Sequence, residues 1–149
     1  MWNSVPFMSL ETGSQDVISI LLMGFGDGDR DVLRAFLNSP DWEIREASDG
    51  PQAMHMLDEH RFGVFICDSS RESGNWRSVL ADLQNRHDPP SLIVSSRLAD
   101  ERLWAEVLNL GGYDVLMQPF DRSEVLRVTA MAGLSWRRKG AYFAMQSGL

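Results

Sequence analysis

The sequence is almost without cysteine and without any long apolar run. Its single cysteine, Cys67, lies inside a short apolar stretch, so one chain can build neither a disulfide framework nor a thiolate metal centre. The longest apolar stretch, Val17 to Met23, is broken by Ser19 and falls far short of the roughly 20 residues a membrane helix needs. The first residues carry neither the basic start nor the apolar core of a secretory signal, so a reducing, cytoplasmic compartment is the expectation. Positive charge is also in short supply. A net charge of −7 repels phosphate backbones and anionic lipid, which argues against nucleic-acid and membrane roles and for a partner protein. The one basic run, Trp136-Arg137-Arg138-Lys139, reads as a solvated helix end. His55, His60 and His87 show no metal-ligand spacing, and no serine-histidine-acid arrangement can be assembled from them. Internal repeats and low-complexity tracts are absent as well.

What is present is a strand-helix alternation. With 149 residues, 44% of them hydrophobic and 23% charged, the chain has ordinary globular usage and the length of one compact domain. Val17 to Met23, Gly63 to Cys67 and Leu92 to Ser95 are nearly continuous in apolar residues, the pattern of strands covered on both faces of a parallel sheet. Trp42 to Ala47 alternates apolar with charged residues and Tyr113 to Met117 is mixed, so both read as strands nearer the edges. Helical spacing of apolar residues recurs between them: Val32, Leu33, Phe36 and Leu37; Ala53, Met54 and Leu57; Trp76, Val79, Leu80 and Leu83. A fourth helix would turn Leu103, Val107 and Leu110 inward and stop at Gly111-Gly112. A fifth would start at Asp121, with Glu124 as its capping-box partner. Five such pairs imply right-handed crossovers and a three-layer, doubly wound five-stranded parallel sheet in the flavodoxin-like order 2-1-3-4-5. The expected division is a tail over residues 1–16, the domain over 17–135, and a tail or helix extension over 136–149, carrying Trp136, Tyr142, Phe143 and Met145.

In such a sheet ligands bind beyond the carboxyl ends of the strands, so the loops after each apolar run hold the candidate site. They read Gly24-Phe25-Gly26-Asp27, Asp68-Ser69-Ser70, Ser95-Ser96-Arg97 and Gln118-Pro119-Phe120. The first, with Glu46 about 20 residues on, imitates a nucleotide-binding Rossmann-like enzyme, but the third glycine position is Asp29. The aspartates at 27, 29 and 31 imitate a calcium loop, yet Val32 stands where glycine is required and Asn38 where the bidentate acid belongs.

Three segments carry a family resemblance: Ala47-Ser48-Asp49-Gly50-Pro51-Gln52-Ala53, Phe65-Ile66-Cys67-Asp68, and Gly111-Gly112-Tyr113-Asp114-Val115-Leu116-Met117-Gln118-Pro119-Phe120. In order and spacing the chain resembles the response-regulator receiver domains of two-component signalling, from about Ser19 to about Leu134. That resemblance implies a signalling module and not an enzyme. It makes Asp68 the acceptor of a phosphoryl group from a histidine kinase or phosphotransfer protein, and Ser96 the switch hydroxyl that draws its loop toward the phosphoryl group. Ser95 would replace Ser96 if the alignment slipped by one. The family also implies a cis bond at Gln118-Pro119, and contact with a downstream protein or a second copy through helix four, strand five and helix five, where Trp104 and Leu108 lie.

The departures are as informative. The acidic pair that binds Mg2+ in the family falls on Gly24 and Phe25, leaving Asp68 and Asp27 as the only carboxylates to propose for a metal. The lysine position is Gln118, which can donate to a phosphate but cannot neutralise it. The aromatic switch position is Val115, with Tyr113 displaced by two, and Glu72 stands where the loop after the acceptor usually has proline. Lysine and acidic pair would be lost together, because a lysine kept without them is a partly buried charge lacking compensation. The residues after Leu134 are too few for an effector domain, so the expectation is an atypical, stand-alone receiver, or a phosphorylation-independent pseudo-receiver scaffold.

Overall fold

The computed structural model describes residues 17–70, 75–98 and 100–146; the segment 1–16 and Glu72 lie outside them. The elements are β1 (Ile18–Met23), α1 (Asp27–Phe36), β2 (Trp42–Ala47), α2 (Gly50–Glu59), β3 (Val64–Asp68), α3 (Trp76–Gln84), β4 (Ser91–Ser96), α4 (Glu101–Asn109), β5 (Asp114–Met117) and α5 (Arg122–Gln146). All strand pairs are parallel and the sheet order is β2-β1-β3-β4-β5. β1, β3 and β4 are buried along their whole length, which explains why charged residues are excluded from them save Asp68 at the end of β3. β2 and β5 are the edges and show mixed burial.

Successive strand residues point to opposite faces, so each strand feeds two cores. Leu21, Phe65, Cys67, Leu92 and Val94 pack against α2, α3 and α4 through Ala53, Val79, Leu83 and Val107. Ile20, Leu22, Ile66, Ile93 and Leu116 pack against α1 and α5 through Leu33, Leu37, Val125, Val128 and Ala132. The four apolar residues read for α3 are all buried, whereas in α1 Leu33 and Leu37 are inside and Val32 lies out on the flank. Leu110 corrects the sequence expectation. It caps α4 instead of continuing it and stays exposed, its carbonyl accepting from Gln84 Nε2 at 2.6 Å, while Val107 carries the inward stripe. Gly111 then turns the chain at φ 104°, a left-handed conformation that disfavours any side chain, and Gly112 N donates to Val107 O at 2.8 Å.

Both expected starts are capped. Asp49 accepts from Gln52 N at 2.9 Å ahead of Pro51. Asp121 accepts from Glu124 N at 3.0 Å and from Ser123 Oγ at 2.7 Å, but the Glu124 carboxylate turns to Met117 N at 3.4 Å instead of closing a capping box. Residues 136–146 continue α5 as helix. Trp136 closes onto the loop before β3: a Cβ at Gly63 would come within 2.7 Å of the Trp136 ring and 2.8 Å of Ile18. The Arg61 guanidinium lies 4.8 Å over the same ring. Tyr142 and Met145 are exposed. Among the described residues no helix is long and apolar enough to cross a membrane.

The Ser123 hydroxyl and the Glu124 amide hold the Asp121 carboxyl below its ordinary value. A folded pKa below the unfolded one adds stability that is present above the unfolded value and lost as pH falls through the folded value. Thermal unfolding followed from neutral to acidic pH should therefore show a shallower acid decline in Asp121→Ala than in the parent. Identical acid limbs would remove Asp121 from the account.

Candidate functional site

Alternation decides which side chains meet. In β3 the even positions Val64 and Ile66 face α1 and α5, so Asp68 does too, and register pairs Asp68 with Ser95. In β5 Leu116 shares that face, which puts Gln118 two residues on at the same edge. The three side chains converge at the carboxyl ends of β3, β4 and β5. Gln118 Nε2 donates to Ser95 Oγ at 2.6 Å and to Asp68 Oδ1 at 3.2 Å. The same Oδ1 accepts from Ser70 N at 2.9 Å. Asp68, Ser95 and Gln118 are 2%, 0% and 4% exposed, so this carboxylate is met by fixed donors and little water. Gln118 Oε1 is left buried with no partner. The Gln118-Pro119 bond is cis, as the resemblance implied.

Ser96, the expected switch hydroxyl, points elsewhere. It shares the opposite face with Cys67 and Val94, and its Oγ accepts from Leu98 N at 3.0 Å, which turns the β4–α4 loop. The structure thus joins Ser95, not Ser96, to Asp68. Ser69 ties the same edge together, donating from both N and Oγ to Ser95 O at 2.8 and 2.9 Å. Cys67, beside the acceptor position, is fully buried, and burial with the neighbouring Asp68 charge pushes its thiol up to about 12. It is a core residue without nucleophilic character.

The mouth is made by the four loops named from sequence. Phe25 and Phe120, from two of these loops, lie with ring centroids 6.0 Å apart at 59°. Arg97, following β4, reaches Asp29 on α1 at 3.3 Å, and its backbone N donates to Ser70 Oγ at 3.4 Å. Sequence reasoning passed over Arg97; its position immediately after the β4 hydroxyls was the available signal.

Magnesium does not fit these residues. Gly24 and Phe25 offer no side-chain oxygen. Gly24 is also held at φ 87°, where an acidic side chain would be strained by about 1–2 kcal/mol. Asp27, proposed as a metal ligand beside Asp68, is corrected: it opens α1 with its side chain 90% exposed and paired to Arg30, while Asp68 is buried. Among the described residues no group of three or more His, Cys, Asp or Glu could hold a metal. The nucleotide reading also loses its acid, since Glu46 is held by Arg30 at 3.1 Å and by Arg34.

A doubly wound sheet of this order, with a carboxylate at the end of its central strand, defines a receiver-type signalling domain. The model of the response regulator receiver domain matches residues 28–130, and the chain belongs to that family. The transcriptional regulatory protein SrrA of Staphylococcus aureus is 26% identical over 113 residues, which is 75% of this chain and 46% of SrrA, so the chain spans about half the length of that relative. The chemotaxis response regulator CheY4 of Vibrio cholerae superposes with a TM-score of 0.68 at 16% identity, covering 78% of this chain and 98% of that one. The receiver domain of an HD domain-containing protein from Pseudomonas fluorescens gives 0.74 at 20% identity, covering 85% and 93%.

The Gln118 tie is testable without any ligand. Gln118→Glu replaces the donor by a second acceptor facing Asp68 and Ser95, and should cost at least about 2 kcal/mol in urea unfolding at neutral pH. The loss should shrink in acid, as one carboxyl of the pair takes a proton. A variant as stable as the parent at neutral pH would show that Gln118 does not hold Asp68.

Proposed function

We propose that this receiver domain signals by protein-protein contact, with Asp68 serving as a structural tie instead of a phosphoryl acceptor driven by magnesium. One observation carries the reading: Asp68 Oδ1 is already engaged by Gln118 Nε2 and Ser70 N, in a pocket whose acidic pair is Gly24 and Phe25. A phosphoryl group there would have to displace the Gln118 bond, with no acidic pair to hold a charge-neutralising metal and no lysine at the pocket. The only lysine in the sequence, Lys139, lies on the far end of α5.

Phosphoryl transfer to Asp68 from a histidine kinase or phosphotransfer protein is the second reading. Arg97 favours it, since its guanidinium sits at the mouth and would supply the lost positive charge on leaving Asp29. Ser95, the hydroxyl that shares Gln118 with Asp68, would then exchange its bond from Gln118 for a phosphoryl oxygen. Intact mass after incubation with magnesium and acetyl phosphate separates the two. The parent should gain no phosphoryl adduct, while Phe25→Asp with Gln118→Lys, which returns one acid and the lysine, should gain one that Asp68→Asn removes. A stoichiometric adduct on the parent, lost in Asp68→Asn, would reverse the order of the readings.

The contact surface we assign is the α4–β5–α5 face, for a downstream protein or a second copy in the cytoplasm. Trp104 and Met117 are 50% and 54% exposed on it, and Trp104 Nε1 donates to Asp114 Oδ1 at 3.2 Å, which fixes the indole face outward from the edge strand. Sedimentation velocity tests the second copy: Met117→Lys should weaken self-association while Asp68→Asn leaves it unchanged. A parent that stays monomeric at high concentration would leave the face to a different protein.

A further inference from the structure

At the amino ends of β4 and β5, the rim opposite Asp68, an open groove of about 870 Å³ runs between the sheet and the end of α5. Its lining is mostly apolar: Leu83 of α3, Leu92 of β4, Tyr113 ahead of β5, and Trp136 and Gly140 one turn apart on α5. A more polar cleft of about 450 Å³ adjoins it and shares Arg61, Trp136 and Gly140. There the Ser19 hydroxyl and His60 Nε2 lie 2.8 Å apart, and Arg137 lines the same cleft. Small-molecule sites have this build: several hundred Å³, an apolar lining, and a few polar groups gathered at one end.

Charge narrows the class of molecule. The chain carries a net −7, yet these two spaces are lined by the cations Arg61, Arg137 and Lys139 against the acids Asp88 and Glu43, a local surplus of one positive charge. Glu43 is engaged by Arg45 at 3.0 Å. Arg61 pairs with Asp88 at 2.6 Å, but its side chain is 73% exposed, and exposed pairs of this kind are weak enough to be exchanged. A guanidinium released in this way takes a carboxylate through two parallel hydrogen bonds. Gly140 lies where the two spaces meet. Glycine weakens a helix interior, and no neighbour among the described residues requires one at 140, because a Cβ there would meet no atom within 4 Å. Its effect is to keep the apolar groove continuous with the basic cleft.

We infer that the joined groove and cleft bind a small amphipathic carboxylic acid, its apolar body along Leu83, Leu92 and Tyr113 and its carboxylate at Arg61 and Arg137. One negative charge matches the surplus, and an uncharged body matches the apolar lining. The site lies on the rim opposite Asp68 and stands whichever way that rim works. It offers the domain a small-molecule input that needs no phosphoryl group.

The experiment titrates the full chain with decanoate below its micelle range and follows amide signals. Gly111, Gly112, Gly140 and the Trp136 indole should shift saturably, while Gly24 and Ser69 at the opposite rim stay put. Decylammonium, the same body with the opposite charge, and acetate, the head alone, should each bind at least about tenfold more weakly. Gly140→Leu, whose Cβ meets no neighbour, should weaken decanoate by at least about tenfold while unfolding at no lower temperature than the parent. Arg61→Gln should narrow the gap between decanoate and decylammonium. The absence of a saturable decanoate shift, equal binding of decylammonium, or parental binding by Gly140→Leu each overturns the proposal. Shifts at these glycines that grow with protein concentration alone also overturn it, and would assign the groove to a second copy.

Discussion

One side-chain amide joins three strand ends in this domain. Gln118 Nε2 bonds both Ser95 Oγ and Asp68 Oδ1, and all three residues are withdrawn from water. A buried carboxylate is tolerated only where fixed donors replace its hydration, so the position of Gln118 governs the state of Asp68. The arrangement follows from register and alternation together: Asp68 pairs with Ser95 across the sheet, and Gln118 follows Leu116 on the same face. What would be an electrostatic pocket with acids and a lysine has become an edge where the Asp68 carboxylate meets only uncharged donors. The loss is self-consistent, since keeping the lysine without the acids, or the acids without the lysine, would leave buried charge uncompensated.

The two rims of the sheet divide the molecule's work. The carboxyl rim holds the Asp68 tie and the Phe25–Phe120 ring contact, with Arg97 spanning to Asp29. The amino rim is closed by the end of α5, where Trp136 rests on Gly63 and under Arg61. Between them run two apolar layers fed by alternate residues of the same strands, so a change in the packing of α4 or α5 bears on the strand ends that carry Ser95 and Gln118.

The strands were plain in the sequence because burial on both faces leaves little choice of residue: Ile18 to Met23 and Val64 to Asp68 are apolar almost throughout. Helix faces were read well where the stripe was wide, as at Trp76, Val79, Leu80 and Leu83, and less well at helix ends, where Leu110 leaves the helical register and stays in solvent. The location of Asp68 and Gln118 was legible from the motifs. The choice between Ser95 and Ser96 was not, because neighbouring residues of a strand face opposite ways and only register decides which of them sees the carboxylate. Asp27 was misplaced for a related reason: proximity in sequence to the β1 loop says nothing of direction, and as the first residue of α1 it turns out to Arg30. Arg97 could be placed in the loop after β4 from the sequence, but its pairing with Asp29 could not, since that partner is on a distant element.

The central claim is that uncharged donors hold Asp68 at this edge and that it is not a magnesium site. A magnesium titration followed by amide shifts of Asp68, Ser69, Ser70 and the Gln118 side chain measures this directly. Small, unsaturated shifts across millimolar magnesium, no larger at these residues than on the exposed acidic surface of α1, agree with the account. A saturable change confined to these groups at low magnesium would contradict it.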